Sequence, residues 1–278
     1  MGLLLPKSDN TVRVWAIDTT TNQVVDARAF IEPVHKGHET LNLPTLAFLV
    51  EHEQLGRRVL FDCGGRKDYQ QFSPGVLIKM DEILFSMRVD QDIDEILEEA
   101  GIALETIDSM IWSHWHFDHH GAPDHFPKSV EIVVGPGFKD LFMPGFPTRP
   151  DAILSDVYFE GREVREIAFS DSNFKLDITA ANSSVEAMRQ FEESPDVLVC
   201  ISHDMALINI LPLLNKDPKA DINDWKVKGL KEEARWFWLN ELPRGGKPGR
   251  PPFVDGRFWR GHKVESWTDP VPAALDAK

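Results

Sequence analysis

Cysteine is nearly absent from this 278-residue chain. The two present, Cys63 and Cys200, sit in apolar, strand-like runs, which predicts free thiols in a reducing compartment rather than a disulfide framework. No apolar run approaches the roughly 20 residues needed to cross a bilayer. Leu3-Leu4-Leu5 is too short for a signal-peptide core and ends at Pro6. Pro6 also occupies the position where a Met-Gly start needs Ser or Thr for myristoylation. Positive charge is in deficit, with 30 Lys and Arg against 45 Asp and Glu, a net −15. That balance disfavours nucleic acid and anionic membrane surfaces as partners. There is no Gly-x-Ser-x-Gly elbow, no P-loop, and no strand followed by Gly-x-Gly-x-x-Gly. Gly245-Gly246-Lys247-Pro248-Gly249 lacks the strand–helix context of a phosphate site. Repeats and low-complexity segments are missing too. With no targeting signal standing out, the cytoplasm is the expected location.

What is present is an ordinary globular composition, 42% hydrophobic, long enough for one large domain or two small ones. The acid excess is spread over stretches such as Asp90–Glu99 and Glu192–Asp196, which fit solvated faces. Strands are predicted at Val12–Ile17, Ala29–Val34, Leu46–Val50, Val59–Phe61, Ile132–Val134, Val164–Phe169 and Val197–Ile201, with a hairpin at Gly56. A helix with an acidic start begins near Asp94 and stops at Gly101. Ser183 and Glu186 are spaced as a capping box for a further helix. Ala206–Leu214 and Leu230–Leu242 complete the helical set, the latter with Trp236, Phe237 and Trp238 for docking. The fold class is α/β. Residues 1–242 form the domain, and 243–278 form a loop-rich tail that Phe258, Trp259 and Trp267 pin to it.

The chemistry concentrates in Ser113-His114-Trp115-His116-Phe117-Asp118-His119-His120-Gly121. His114, His116, Asp118 and His119 offer imidazole nitrogen and carboxylate oxygen, the donors that suit zinc and other first-row divalent metals. The run follows Ser109–Trp112, which reads as the end of a buried strand. In an extended segment alternate residues share a face, so His114 and His116 can address one metal. A turn after Phe117, supplied by Gly121 and Pro123, redirects Asp118 and His119 toward a second. A histidine cluster without metal would leave partly buried imidazoles unpartnered, which is costly. Trp115 and Phe117 fit packing roles on the opposite face.

His114-x-His116-x-Asp118-His119 resembles the signature of the metallo-β-lactamase superfamily of hydrolases. Arg58–Gly65 is similar to that family's strand ending in Asp and glycines, Ile93–Ile102 to its following helix, and Thr106–Trp112 to its strand into the metal loop. Val197–Asp204 resembles the late strand that delivers a second-metal histidine, here His203. The likeness is greatest to the lactonase-like branch, including fungal lactone and lactam hydrolases. It implies an αββα sandwich with zinc, or another divalent first-row metal, at one edge, one or two ions per chain. His114 and His116 would hold the first metal; Asp118, His119 and His203 would hold the second. His120, His125 and Asp62 are candidates to orient these ligands, whereas His35 and His38 fit a surface loop.

The family pattern also requires a third histidine for the first metal and a bridging Asp. Neither motif is present, and no histidine lies between His125 and His203. Part of one sheet, carrying two strands and two ligands, is therefore expected to be missing. Asp171 and Asp177 are the nearest replacement carboxylates. The resemblance implies a metal-dependent hydrolase that opens a small cyclic ester or amide with metal-activated hydroxide, Asp118 acting in catalysis as well as binding. A thioesterase of the same superfamily, and an impaired member acting as a binding protein, are the alternatives. Exposed sheet edges would favour association of copies into a homo-oligomer.

Overall fold

The computed structural model describes residues 8–168 and 178–254, the side chains of 178–182 excepted. In chain order the elements are β1 (Arg13–Asp26), β2 (Thr40–His52), β3 (Arg57–Phe61), α1 (Pro74–Ile83), β4 (Leu84–Val89), α2 (Ile93–Glu99), β5 (Ser109–Ile111), β6 (Glu131–Val134), α3 (Phe138–Phe142), β7 (Val164–Glu166), α4 (Ile178–Glu193), α5 (Met205–Ile210) and α6 (Leu230–Arg235). The strands form one seven-stranded sheet in the order β4-β1-β2-β3-β5-β6-β7. Its first half is antiparallel and its second half, from β3 through β7, is parallel.

Alternation along the strands decides what each face buries. Trp15, Ile17, Ala47, Leu49, Leu60, Met110 and Ile132 point to one face, where Ile93, Ile96 and Leu97 of α2 close the main core. Ala16 and Leu46 point to the other, against Leu207 of α5, Leu213, Ile222 and Leu230. A third cluster joins α1, through Val76 and Met80, to Leu84, Met87 and Val89 of β4 and to Phe117. The second face is only partly covered: Phe61 is 40% exposed and Val12 38%. Among the described residues every named strand belongs to the one sheet. This is a mixed α/β fold of the expected kind, in which the described residues form no second sheet.

Several sequence expectations are corrected. Ala29–Val34 is not a strand, because β1 and β2 pair with each other as far as Asp26 and Thr40, so residues 27–39 close their hairpin. Val197–Ile201 is apolar but carries no strand. Its Leu198 and Cys200 pack against the cluster that holds Ala16 and Leu46, and just beyond it Leu46 N donates to Ser202 O (2.9 Å) and Ser202 Oγ donates to Leu46 O (2.8 Å). Ser183 is no cap, since α4 already begins at Ile178. The helix read over Leu230–Leu242 divides into α6 and a 3₁₀ turn, Phe237–Asn240. The α1–β4 unit was missed, although Ser73 accepts from Val76 N and Pro74 opens the helix, which are start signals.

Phe169 of the expected strand, Asp171, Asp177, Phe258, Trp259 and Trp267 lie outside the described residues. Cys63 is buried and Cys200 half-buried, and both are free. No helix among the described residues is long and apolar enough to cross a membrane.

Candidate metal centre

Parallel strands β3 and β5 end side by side, and the chain beyond both ends builds the site, the usual place for a site on a parallel sheet. Past β3, Asp62 adopts φ 59°, a left-handed conformation that Asp tolerates better than most residues. That turn sends its carboxylate under the loop that follows β5. Ser113 N donates to Asp62 Oδ1 at 2.7 Å, and Ser113 Oγ to Oδ2 at 2.8 Å. The loop is strapped back by Cys63 N to His119 O (2.7 Å) and Gly121 N to Gly64 O (2.8 Å). Gly121 is required there: at φ 59°, a Cβ would lie 2.7 Å from that of Cys63.

Asp118, His119 and His203 come together across 84 residues of sequence from His119 to His203. Their facing atoms form a triangle. His119 Nε2 and His203 Nε2 are 3.2 Å apart, and each is 3.5 Å from Asp118 Oδ2. Donors bound tetrahedrally at about 2.0–2.1 Å stand about 3.3–3.5 Å from one another. The triangle thus has the dimensions of one face of a zinc coordination tetrahedron.

The tautomers sharpen this fit. His203 Nδ1 is 2.8 Å from Pro44 O, an atom that can only accept, so Nδ1 carries the proton. His119 Nδ1 is 2.8 Å from Asp62 Oδ2 and likewise donates. Neutral rings held this way turn two Nε2 lone pairs toward each other, and a cation between them resolves the clash. Nδ1 anchoring of this kind is what fixes metal-binding histidines. The residues therefore fit a divalent metal.

The electrostatics point the same way. Burial raises the Asp118 carboxyl, but His119, His203, His116 and His114 outweigh it and hold the group down at about 2. Burial lowers the His119 imidazole, but Asp118 and Asp62 outweigh it and leave the group raised. A cation is favoured at Nε2, as proton or as metal. Burial, then His119 and His116, push His114 down to about 4; burial also lowers His116. Both rings are thus neutral donors near pH 7, the form a metal needs.

His114 and His116 lie beside this triangle, with ring centroids 4.3 Å apart and His114 4.1 Å from His119. Among the described residues, no third histidine or carboxylate groups with these two. His120 does not orient a ligand: its ring is buried between Tyr158 and Trp112, with Nδ1 against Gly121 O at 3.0 Å. His125 faces outward to Asp94, 3.1 Å away. His35 is exposed and His38 half-buried in the β1–β2 loop. Trp115 and Phe117 pack as expected, Trp115 against the main core and Phe117 within the α1–β4 cluster, and they also line a cavity of about 360 Å³ together with His116, Asp118 and His203. The sequence reading missed Gln23 of β1, whose Nε2 donates to Asp118 Oδ2 at 2.5 Å.

This geometry meets independent likenesses to known proteins. Residues 41–145 match the model of the metallo-beta-lactamase superfamily. The chain is 40% identical over 173 residues to gamma-lactamase FDB1 of Fusarium pseudograminearum (strain CS3096), covering 60% of this chain and 42% of that protein. It is 36% identical to metallo-hydrolase mfmC of Annulohypoxylon moriforme, covering 87% of this chain and 90% of that protein. That alignment runs over 346 positions, more than the 278 residues here, so mfmC carries stretches without counterpart in this chain. Against FDB1 and the fungal mpaDE proteins the chain spans only about two fifths of their length. Its backbone is similar to that of a quorum-quenching N-acyl homoserine lactone lactonase, with TM-score 0.53 and 14% identity over 75% of this chain and 97% of that one. With mfmC matched over nearly its whole length and the metal loop inside the matched model, the chain belongs to the metallo-beta-lactamase superfamily.

Proposed function

We propose that this chain is a metal-dependent hydrolase that opens a small, largely apolar cyclic ester or amide, a lactone or lactam. The observation that carries the reading is the anchored donor triangle of Asp118, His119 and His203 opening onto the cavity beside it. Zinc suits two imidazoles and a carboxylate at these separations, with an open fourth position. When bound, it would supply Lewis acidity toward a carbonyl and activate water near neutral pH.

The chain's own residues do the rest. Asp62 and the Pro44 carbonyl hold the two rings by Nδ1. Asp118 stays ionised through the neutral range, so it can bind a cation, and it can take up the proton that the attacking water loses and hand that proton to the leaving group. Val25, Leu41, Leu43, Trp115 and Phe117 line the cavity and exclude water from a compact apolar substrate. The chain's relatives, a gamma-lactamase and a metallo-hydrolase, support this class. One strong ion per chain is the preferred stoichiometry, because His114 and His116 leave about two of four positions at a first site to other donors.

The test is ring opening of a γ-lactone and γ-lactam panel by zinc-loaded protein, read by pH-stat titration of the acid released from lactones and by chromatography of the amino acid formed from lactams. Hydrolysis is expected that a chelator abolishes and added Zn²⁺ restores. Zinc-loaded protein inert toward the whole panel would count against the reading.

A further inference from the structure

We propose that Gln23 is a positioning residue of the metal centre: its amide selects the oxygen of Asp118 that faces His119 and His203, and so sets the affinity for a divalent cation. The inference rests on the metal-site reading above.

Gln23 lies near the C-terminal end of β1, paired with Leu43 of β2 on one side and Met87 of β4 on the other. Its backbone is thus fixed from both edges. The residue is 2% exposed, so its amide was taken from water and needs a partner. That partner is Asp118 Oδ2, at 2.5 Å. The same oxygen is the third corner of the donor triangle. A carboxylate oxygen has two lone pairs, so one can accept from the amide while the other remains for an ion. Held in this way, Asp118 presents Oδ2 alone and is kept from rotating toward a bidentate arrangement.

The residue type also fits. A neutral amide donates without placing a positive charge where the cation belongs, as Lys or Arg would. It adds no competing carboxylate, as Glu would. Outer partners of metal ligands commonly contribute 10–100-fold in affinity.

The test compares wild type, Gln23→Met, Asp118→Asn and the double variant. Zn²⁺ affinity is read by competition with a chromophoric chelator, the Co²⁺ site by its visible absorption, and the fold by thermal melting without metal. Gln23→Met is expected to melt like wild type, to bind Zn²⁺ roughly 10–100-fold more weakly, and to shift the Co²⁺ bands. In the Asp118→Asn background the same change should add little, because its effect passes through Asp118. Gln23→Asn, which withdraws the amide by one methylene, takes its place if Gln23→Met does not fold. Wild-type affinity and spectrum in the variant would overturn the role, as would an equal loss in the Asp118→Asn background. Wild-type protein that binds neither ion would instead overturn the metal-site reading, and this inference with it.

Discussion

Asp118→Asn is expected to slow ring opening by on the order of 10²-fold or more. The variant keeps size and shape but removes the charge that faces His119 Nε2 and His203 Nε2, each 3.5 Å away. The carboxyl is held at about 2, so its charge is present throughout the neutral range and its removal is felt at every working pH. An amide at this position also cannot take up or release a proton. The measurement is kcat on a lactone, with metal content determined on the same sample, so that lost chemistry is separated from lost metal. Wild-type turnover by metal-loaded Asn protein would refute a role for Asp118 beyond ligation.

The second large effect concerns the base of the metal loop. Arg66 is fully buried, with its guanidinium 5.5 Å over the Tyr158 ring. It donates to Asp124 through Nη1 (2.9 Å) and Nη2 (3.1 Å), and to Asp68 through Nε (2.6 Å). Asp124 closes the segment that carries the metal ligands, so this pair ties the turn after β3 to the far end of the loop. Removing one partner of such a pair leaves a buried charge with half its compensation. Asp124→Leu is expected to cost about 3–5 kcal/mol in urea unfolding. Replacing both members, Arg66→Met with Asp124→Leu, should cost much less, since the one charge left without its partner, Asp68, is 43% exposed and stays hydrated. A single-variant loss below about 1 kcal/mol would show that Asp68 and Tyr158 suffice for Arg66.

The sequence made the metal loop legible because ligand chemistry there is dense and local: four donors in one short run need no knowledge of the fold. His203 was legible only through resemblance, since nothing in its own neighbourhood names a partner 84 residues away. Gln23 left no trace, because a buried amide in a strand has no motif; only β1 pairing on both sides brings it to Asp118. Val197–Ile201 misled for the opposite reason. Its apolar pattern is that of a strand, but a strand exists only where a neighbour completes its ladder. Phe61 and Val12, partly bare on the same side of the sheet, show the same shortage of covering layer. The length of β1 was underestimated because the polar run Thr19–Thr21 hides a register shift, beyond which pairing resumes at Asn22.

Zinc bound per chain, measured by plasma mass spectrometry after loading and desalting, tests the metal centre most directly. One ion is expected in wild type, retained in His114→Ala and lost alike in His119→Ala and His203→Ala. Equal zinc in wild type and His203→Ala would contradict the assignment of Asp118, His119 and His203 as its ligands.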